Sequence, residues 1–282
     1  MKSQKTHLLL LILALAAWVT AGATNPPKFH FVQCPESPET HLNGVSNNNI
    51  AVGYCLGSDG VFHGFVAANG KLTYVDDPKG VGGTFPEDVN SGGTIAGFYL
   101  DESFNHHAFS YANGQFSDLD PPGSILAIAF GIDELGRVTG EFEDQDGFFH
   151  GWVFDGAFHG VELGSGITSV RDINANNLAT VAWQDQPPLY RSSLYHGGKF
   201  TDISVPGAIS SLAHGINNAG DVVLSWTDDA SVDHGALLVG RKFTKFDAPG
   251  CDTTTTTGIN DNHVIVGTCS AGGIVQGFYV TY

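Results

Sequence analysis

Short apolar runs, such as Ile50 to Tyr54 and Val264 to Gly267, alternate along the chain with breaks rich in Gly, Asn and Asp. The breaks recur with a period. A Gly-Ile-Asn-like triplet stands at Gly44-Val45-Ser46, Asp88-Val89-Asn90, Gly131-Ile132-Asp133, Asp172-Ile173-Asn174, Gly215-Ile216-Asn217 and Gly258-Ile259-Asn260, at spacings of 44, 43, 41, 43 and 43 residues. Three residues later come Asn49, Gly93, Gly136, Asn177, Gly220 and His263. Asn or Asp opens a turn through its side chain, and Gly or Asn accepts the left-handed backbone that closes a hairpin. The pattern predicts short antiparallel strands, not helices.

A second column opens the next strand: His63-Gly64-Phe65, His107-Ala108-Phe109, His150-Gly151-Trp152, Ser192-Ser193-Leu194, His234-Gly235-Ala236 and Gln276-Gly277-Phe278. A tight turn follows, as at Asn69-Gly70 or Asn113-Gly114, and a fourth strand starts on Leu72, Phe116, Phe158, Phe200 or Phe243. Each repeat is therefore four strands, a to d. One such unit cannot bury both faces alone, and four-stranded repeats of about 40–45 residues match the blades of a β-propeller. The sixth repeat stops at Tyr279 to Tyr282, without a strand d. The missing piece is at the front: Lys28 to Ser46 aligns without a gap with Lys242 to Asn260, at a constant offset of 214. The expected fold is all-β, a six-bladed propeller whose last blade is completed by the N-terminal strand.

These motifs resemble the HAF-type extracellular repeat family. His107-Ala108-Phe109 is a literal instance of its His-Ala-Phe motif, and Gly-Ile-Asn-Asn-Ala-Gly at 215–220 matches its other signature. The resemblance covers the chain beyond its first residues, with the fourth repeat departing most. It implies export and a propeller-like fold, and it brings no catalytic residues.

The first 23 residues read as a signal peptide. Lys2 and Lys5 precede the apolar run Leu8 to Val19, and Ala21-x-Ala23 is a cleavage pattern. The run is short of the ~20 residues that spanning needs, so no membrane span is expected in the mature chain. Residues 24–282 then form the propeller domain, secreted or periplasmic and monomeric. Removing the signal takes two lysines and no acids, so the formal charge moves from −17 to −19. That balance disfavours nucleic acid and anionic lipid as partners.

The repeat assigns each loop to an end of the ring. The b–c and d–a loops carry Asp59, Asp76, Asp77, Asp101, Glu102, Asp120, Glu143, Asp144, Asp146, Asp228, Asp229 and Asp247; the other end carries Lys28, Lys71, Arg137, Lys199, Arg241 and Lys242. Glu143, Asp144 and Asp146 are a candidate Ca²⁺ site, although their spacing does not match the twelve-residue Ca²⁺ loop. The histidines at 63, 107, 150 and 234 occupy one position in separate blades, which predicts repeated hydrogen bonding in place of a converging site. The column ending strand a reads Asn43, Glu87, Phe130, Arg171, His214 and Thr257, a different type in every blade. Asn43, Glu87, Arg171, His214 and Thr257 are the candidate ligand-binding residues, with Arg171 suited to an anion and Glu87 or His214 to a proton. No Gly-x-Ser-x-Gly, phosphate loop or His-Glu-x-x-His is present.

Four cysteines in an exported chain predict disulfides. Cys55 and Cys269 both end strand b, and Cys34 and Cys251 lie in the corresponding d–a connections. Strands a and b form a hairpin, which favours Cys34–Cys55 with Cys251–Cys269. The rival pairs are Cys34–Cys251 with Cys55–Cys269, and four free thiols remain open. The favoured function is a non-catalytic module that binds an extracellular protein or glycan through the acidic loop face. The alternatives are a hydrolase or lactonase acting in the central channel, with Ca²⁺ as a candidate cofactor, and a purely structural repeat protein.

Overall fold

The turn residues take the backbone that their chemistry permits. Asn49, Gly93, Gly136, Asn177, Gly220 and His263 all have positive φ, between 56° and 84°. The computed structural model describes residues 27–164, 166–186 and 189–281, and the expected signal peptide lies outside them. Among the described residues, no helix is long and apolar enough to cross a membrane.

The described strands begin with β1 (Lys28–Val32). One meander comprises β2 (Thr40–Val45), β3 (Ala51–Leu56), β4 (Phe62–Ala68) and β5 (Lys71–Tyr74). The next is β6 (Gly83–Val89), β7 (Ile95–Leu100), β8 (His106–Ala112) and β9 (Gln115–Asp118). A third is β10 (Leu126–Ile132), β11 (Val138–Glu143), β12 (Phe149–Phe154) and β13 (Phe158–Val161). Then come β14 (Thr168–Ile173), β15 (Ala179–Gln186), β16 (Leu189–His196) and β17 (Lys199–Asp202). They are followed by β18 (Ser210–Ile216), β19 (Val222–Thr227), β20 (Asp233–Val239) and β21 (Lys242–Phe246). The chain ends with β22 (Thr253–Ile259), β23 (Val264–Ala271) and β24 (Ile274–Thr281). Neighbours within each meander are antiparallel, and the first two meanders touch through one parallel pair, Phe62 with Gly83. The last sheet has the order β1-β24-β23-β22, with Lys28 opposite Thr281 and Val32 opposite Gly277. This is a β-propeller arrangement of radially repeated sheets.

The cores lie between consecutive sheets. Trp152 and Phe158 of the third pack with Ala96 and Ala108 of the second, and Phe29 joins Val223 and Leu237 of the fifth. Burying a large apolar side chain in this way is worth roughly 1.5–3 kcal/mol. Strand a is also tied to the next strand a by polar side chains. Asn90 Nδ2 donates to Asp133 O (3.1 Å), Asn174 to Asn217 O (2.9 Å), Asn217 to Asn260 O (3.4 Å) and Asn260 to Ser46 O (2.8 Å). Asp133 has no side-chain amide to donate. Arg137 takes over, bonding Asp133 through Nε at 2.7 Å and donating from Nη2 to Asn174 O at 2.8 Å.

The disulfides are Cys34–Cys55 and Cys251–Cys269, the local pairing, with Cα atoms 6.4 and 5.8 Å apart. The register corrects one alignment. Arg191 opposes Trp183 as His234 opposes Trp226, so Arg191-Ser192-Ser193, and not Ser192-Ser193-Leu194, is the counterpart of His63-Gly64-Phe65. The small Ser193 stands where other sheets place Phe65, Phe109 or Trp152, which removed the aromatic landmark from the sequence.

Candidate functional site

Two regions hold the candidate residues: the axis and the loop face. At the axis, each a–b ladder skips a residue. The register shifts fall between Leu42 and Gly44, Pro86 and Asp88, Ala129 and Gly131, Val170 and Asp172, Ala213 and Ile216, and Thr256 and Gly258. The skipped positions are the variable column itself: Asn43, Glu87, Phe130, Arg171, His214 with Gly215, and Thr257. A β-bulge leaves its extra residue without a cross-strand partner.

What these residues then do differs. Asn43 Nδ2 donates to Pro86 O at 3.1 Å, and Thr257 Oγ1 donates to Leu42 O at 2.7 Å, so both link neighbouring sheets. The Arg171 guanidinium lies 3.6 Å from the centre of the Phe130 ring, a cation–π contact. Among the described residues, its Nε and the Nε2 of the buried His214 have no hydrogen-bond partner. Burial pushes Glu87 up to about 8, against the pull of Arg171. Burial lowers His214 well below its ordinary value, and Arg171 adds to that. Glu87, Arg171 and His214 thus share one field, but no described ion pair or hydrogen bond joins them.

Two further acids belong here. Asp88 and Asp172 stand where the other repeats have Gly44, Gly131, Gly215 and Gly258. Asp88 Oδ2 accepts from Ile132 N at 3.0 Å, and Asp172 Oδ2 from Ile216 N at 2.7 Å, each reaching the following sheet. Glycine beside them is a packing need. A Cβ on Gly131 would lie 2.7 Å from Asp172 Cα, and one on Gly44 2.6 Å from Asp88 Cα. Burial raises the Asp88 carboxyl to about 7, and it raises Asp172 well above the usual range with Asp88 adding to the effect. The Gly-to-Asp change was visible in the sequence but reads there as ordinary turn variation.

The axial chamber that these groups line measures about 60 Å³, room for a few waters and not for a sugar. Polar hairpin tips cross its end. Asn47 Nδ2 reaches Asp261 Oδ2 at 2.8 Å and Glu134 Oε1, two sheets on, at 3.0 Å.

On the loop face, four histidines sit between two carboxylates each. Nδ1 of His63, His107, His150 and His234 meets Asp76, Asp120, Glu162 and Asp247 at 2.9, 2.7, 2.8 and 2.9 Å. Nε2 meets Asp59, Asp101, Asp144 and Asp228 at 3.2, 3.4, 3.0 and 3.3 Å. Tyr99, Phe142 and Trp226 stack on the last three rings. Partial burial disfavours the charged ring, but the carboxylate hydrogen bonds outweigh it and raise all four histidines. The repeated hydrogen-bonding role is what the structure shows.

The inner acid of each clamp also closes its own loop. Asp144 Oδ1 accepts from Asp146 N at 2.9 Å and Phe148 N at 3.0 Å, as Asp101 accepts from Ser103 and Asn105 and Asp228 from Ala230 and Val232. Asp144 is therefore occupied. Glu143, Asp144 and Asp146 do not form a ligand set, and no group of three or more His, Cys, Asp or Glu among the described residues is placed to hold a metal.

The fold is of the β-propeller class. No protein-family profile matches the chain, and no curated protein matches it in sequence. Solved structures do. AofleA from Arthrobotrys oligospora is similar at 12% identity over 91% of this chain and 86% of its own, with a TM-score of 0.57. A lectin of Aleuria aurantia, solved with Fucα1-6GlcNAc, is similar at 12% identity over 85% and 91%, with a TM-score of 0.55. TolB from Acinetobacter baumannii matches at 10% identity over 83% and 66%, also at 0.55. At such identities the likeness establishes the fold alone.

Proposed function

We propose that this chain is an exported six-bladed propeller, closed by β1 on β24, that binds glycans without catalysis through its carboxylate–histidine loop face. Closure is supported by the β1–β24 ladder and by Asn260 Nδ2 on Ser46 O, which carries the axial ladder across the seam. Export is supported by two disulfides and by the N-terminal sequence. Membership of the HAF-type family is part of this reading.

The observation that carries the function is the fourfold clamp. Each holds acceptor-only carboxylates at fixed positions on one face, the chemistry that sugar hydroxyls need from a partner. Exposed Phe104 and Phe148 stand beside two of them, in the loops of Asp101 and Asp144. Sites repeated around one rim give avidity to a branched or polymeric glycan. The same acidity selects neutral or amino sugars over sulfated or uronic ones. The solved lectins supply independent support from the same architecture. A hydrolase acting at the axis is disfavoured by the small chamber and by the lack of a described ion pair or hydrogen bond among Glu87, Arg171 and His214.

A glycan array followed by calorimetry tests this. Neutral or amino-sugar glycans are expected to bind, with D120N and D247N weakening them and K199Q and K242Q neutral. Binding only to sulfated glycans, or no glycan binding at all, would refute the reading.

A further inference from the structure

In five of the six sheets, the residues facing each other across strands c and d, where the sheet packs on the preceding one, include an aromatic ring. They are Tyr111–Phe116, Phe154–Phe158, Tyr195–Phe200, Leu238–Phe243 and Val280–Phe29. In the first three the rings are 4.6, 4.9 and 4.9 Å apart. The first sheet has Ala67 opposite Leu72 at that place. Both rings are missing, and a cleft of about 700 Å³ opens there against the last sheet.

We propose that this seam cleft is a binding site for a planar aromatic molecule carrying an anionic group, its rings in the space of the missing aromatic pair and its anion toward Lys71. The volume is that of small-molecule sites, about 300–1,000 Å³. The wall argues for aromatic contents. Val264, Val266 and Tyr279 of the last sheet correspond in register to Ile50, Val52 and Val66 of the first. That wall, in the first sheet, receives Tyr111 and Phe116 in a shared core. On the last sheet Val266 is fully buried in a core with Phe65, Leu42, Ala67 and Leu72, but Val264 stays half-buried and Tyr279 is 37% exposed, so the outer part of that wall is open to water. The charge on the cleft is Lys71, which is exposed and in no described ion pair, whereas Lys79 is held by Asp118. An apolar body with one anion complements that lining. The site is distinct from the loop-face clamps and stands whether or not those bind glycans.

Anilinonaphthalene sulfonate is the probe, used on the mature disulfide-bonded chain and read by fluorescence and calorimetry. One molecule per chain is expected to bind, with cooperative thermal unfolding preserved. A67Y/L72F rebuilds the ring pair of the second sheet and is expected to weaken binding by about tenfold or more while holding or raising the Tm. L72F alone, a smaller change to the residue found in the five other sheets, is expected to weaken it less. K71Q is expected to weaken the sulfonate but not neutral phenylnaphthylamine. Unchanged affinity in a folded A67Y/L72F or L72F variant, or no binding to the native chain, would overturn the proposal. So would concentration-dependent self-association that A67Y/L72F abolishes, because the cleft would then be a contact between copies.

Discussion

Arg137 should be indispensable in a way that a second substitution can relieve. Asp133 is the one acid at the ladder position otherwise held by Asn or Ser, and its side chain is 1% exposed. Its Oδ1 accepts from Leu135 N and Arg137 N, and its Oδ2 is paired with the Arg137 guanidinium. Arg137→Ala strands a buried carboxylate and also removes the donors to Asn174 O and Asn177 Oδ1. Breaking a buried pair from one side costs about 3–5 kcal/mol. Arg137 is 17% exposed, so the lower end, about 3 kcal/mol, is expected. For a domain of this size that is a Tm loss of roughly 6–12 °C. Asp133→Asn keeps the acceptor for both amides and supplies the missing Nδ2 donor to Asn174 O. In that background Arg137→Ala is expected to cost about 1 kcal/mol, the value of ordinary hydrogen bonds. Calorimetry on the four proteins gives the coupling, about 2 kcal/mol. Additive costs would refute the assigned role of Arg137 as a replacement for the absent amide.

Other outcomes follow from the same contacts. Phe29→Ala removes a ring packed 5.5 Å from Phe278 and is expected to cost about 2–3 kcal/mol; Phe31→Ala, 44% exposed on the same strand, is expected to cost under about 1 kcal/mol, and equal losses in denaturant melts would contradict the β1–β24 pairing. The clamp histidines have raised pKa values, so their contribution is complete below the unfolded value and lost as pH rises through the folded one. Asp59, Asp101, Asp144 and Asp228 are lowered, each chiefly by hydrogen bonds to its carboxylate, so theirs is present above the unfolded value and lost in acid. Both hold between about pH 4 and 6.5. Replacing the four histidines by Gln should flatten the decline in Tm from pH 6 to 8, and an unchanged slope would remove the clamps from the pH response. Glu87, pushed up to about 8 by burial, loses stability for the fold as pH climbs from its unfolded value through 8. Glu87→Gln should therefore raise the Tm at pH 9 and leave it unchanged near pH 4; a lower Tm at pH 9 would show that Glu87 acts there as a needed counter-ion for Arg171.

The architecture was legible because its determinants are local and repeated. A left-handed turn needs Gly or Asn wherever it falls, so six hairpins mark six periods. The disulfides followed from that frame, since Cys34 and Cys55 fall on one hairpin's open end. The clamps were half legible. The histidine column was visible, but its partners lie four to six residues before it and twelve or thirteen after it, in loops whose acids read as a solvated rim. The register of the fourth sheet was lost with its aromatic landmark. Asp88 and Asp172 were overlooked because a turn tolerates both Gly and Asp, and only the packing of neighbouring sheets shows that each carboxylate reaches the next one.

The axial column shows where the inference from variability breaks down. A position that keeps its chemistry in every repeat is held by a repeated contact, as Asn90, Asn174, Asn217 and Asn260 are held by the carbonyl of the next strand. The converse does not follow. Asn43, Glu87, Phe130, Arg171, His214 and Thr257 vary at bulges, where the ladder asks nothing of the side chain. Freedom from pairing is sufficient to explain six different residues at one place, without a ligand. A polar function there would require convergence, and Glu87, Arg171 and His214 are coupled by field with no described hydrogen bond or ion pair among them. The clamps have the opposite character. They require a histidine and two acids from three segments, and they recur in four sheets with Nδ1 distances within 0.2 Å of one another. Part of that recurrence is structural, because Asp76 and Asp120 also anchor the amides of Gly64 and Ala108. What structure does not require is that the clamps face water. A fixed, part-exposed array of acceptors is the feature that remains after packing has been accounted for, and it is the reason the proposed function lies on the loop face and not on the axis.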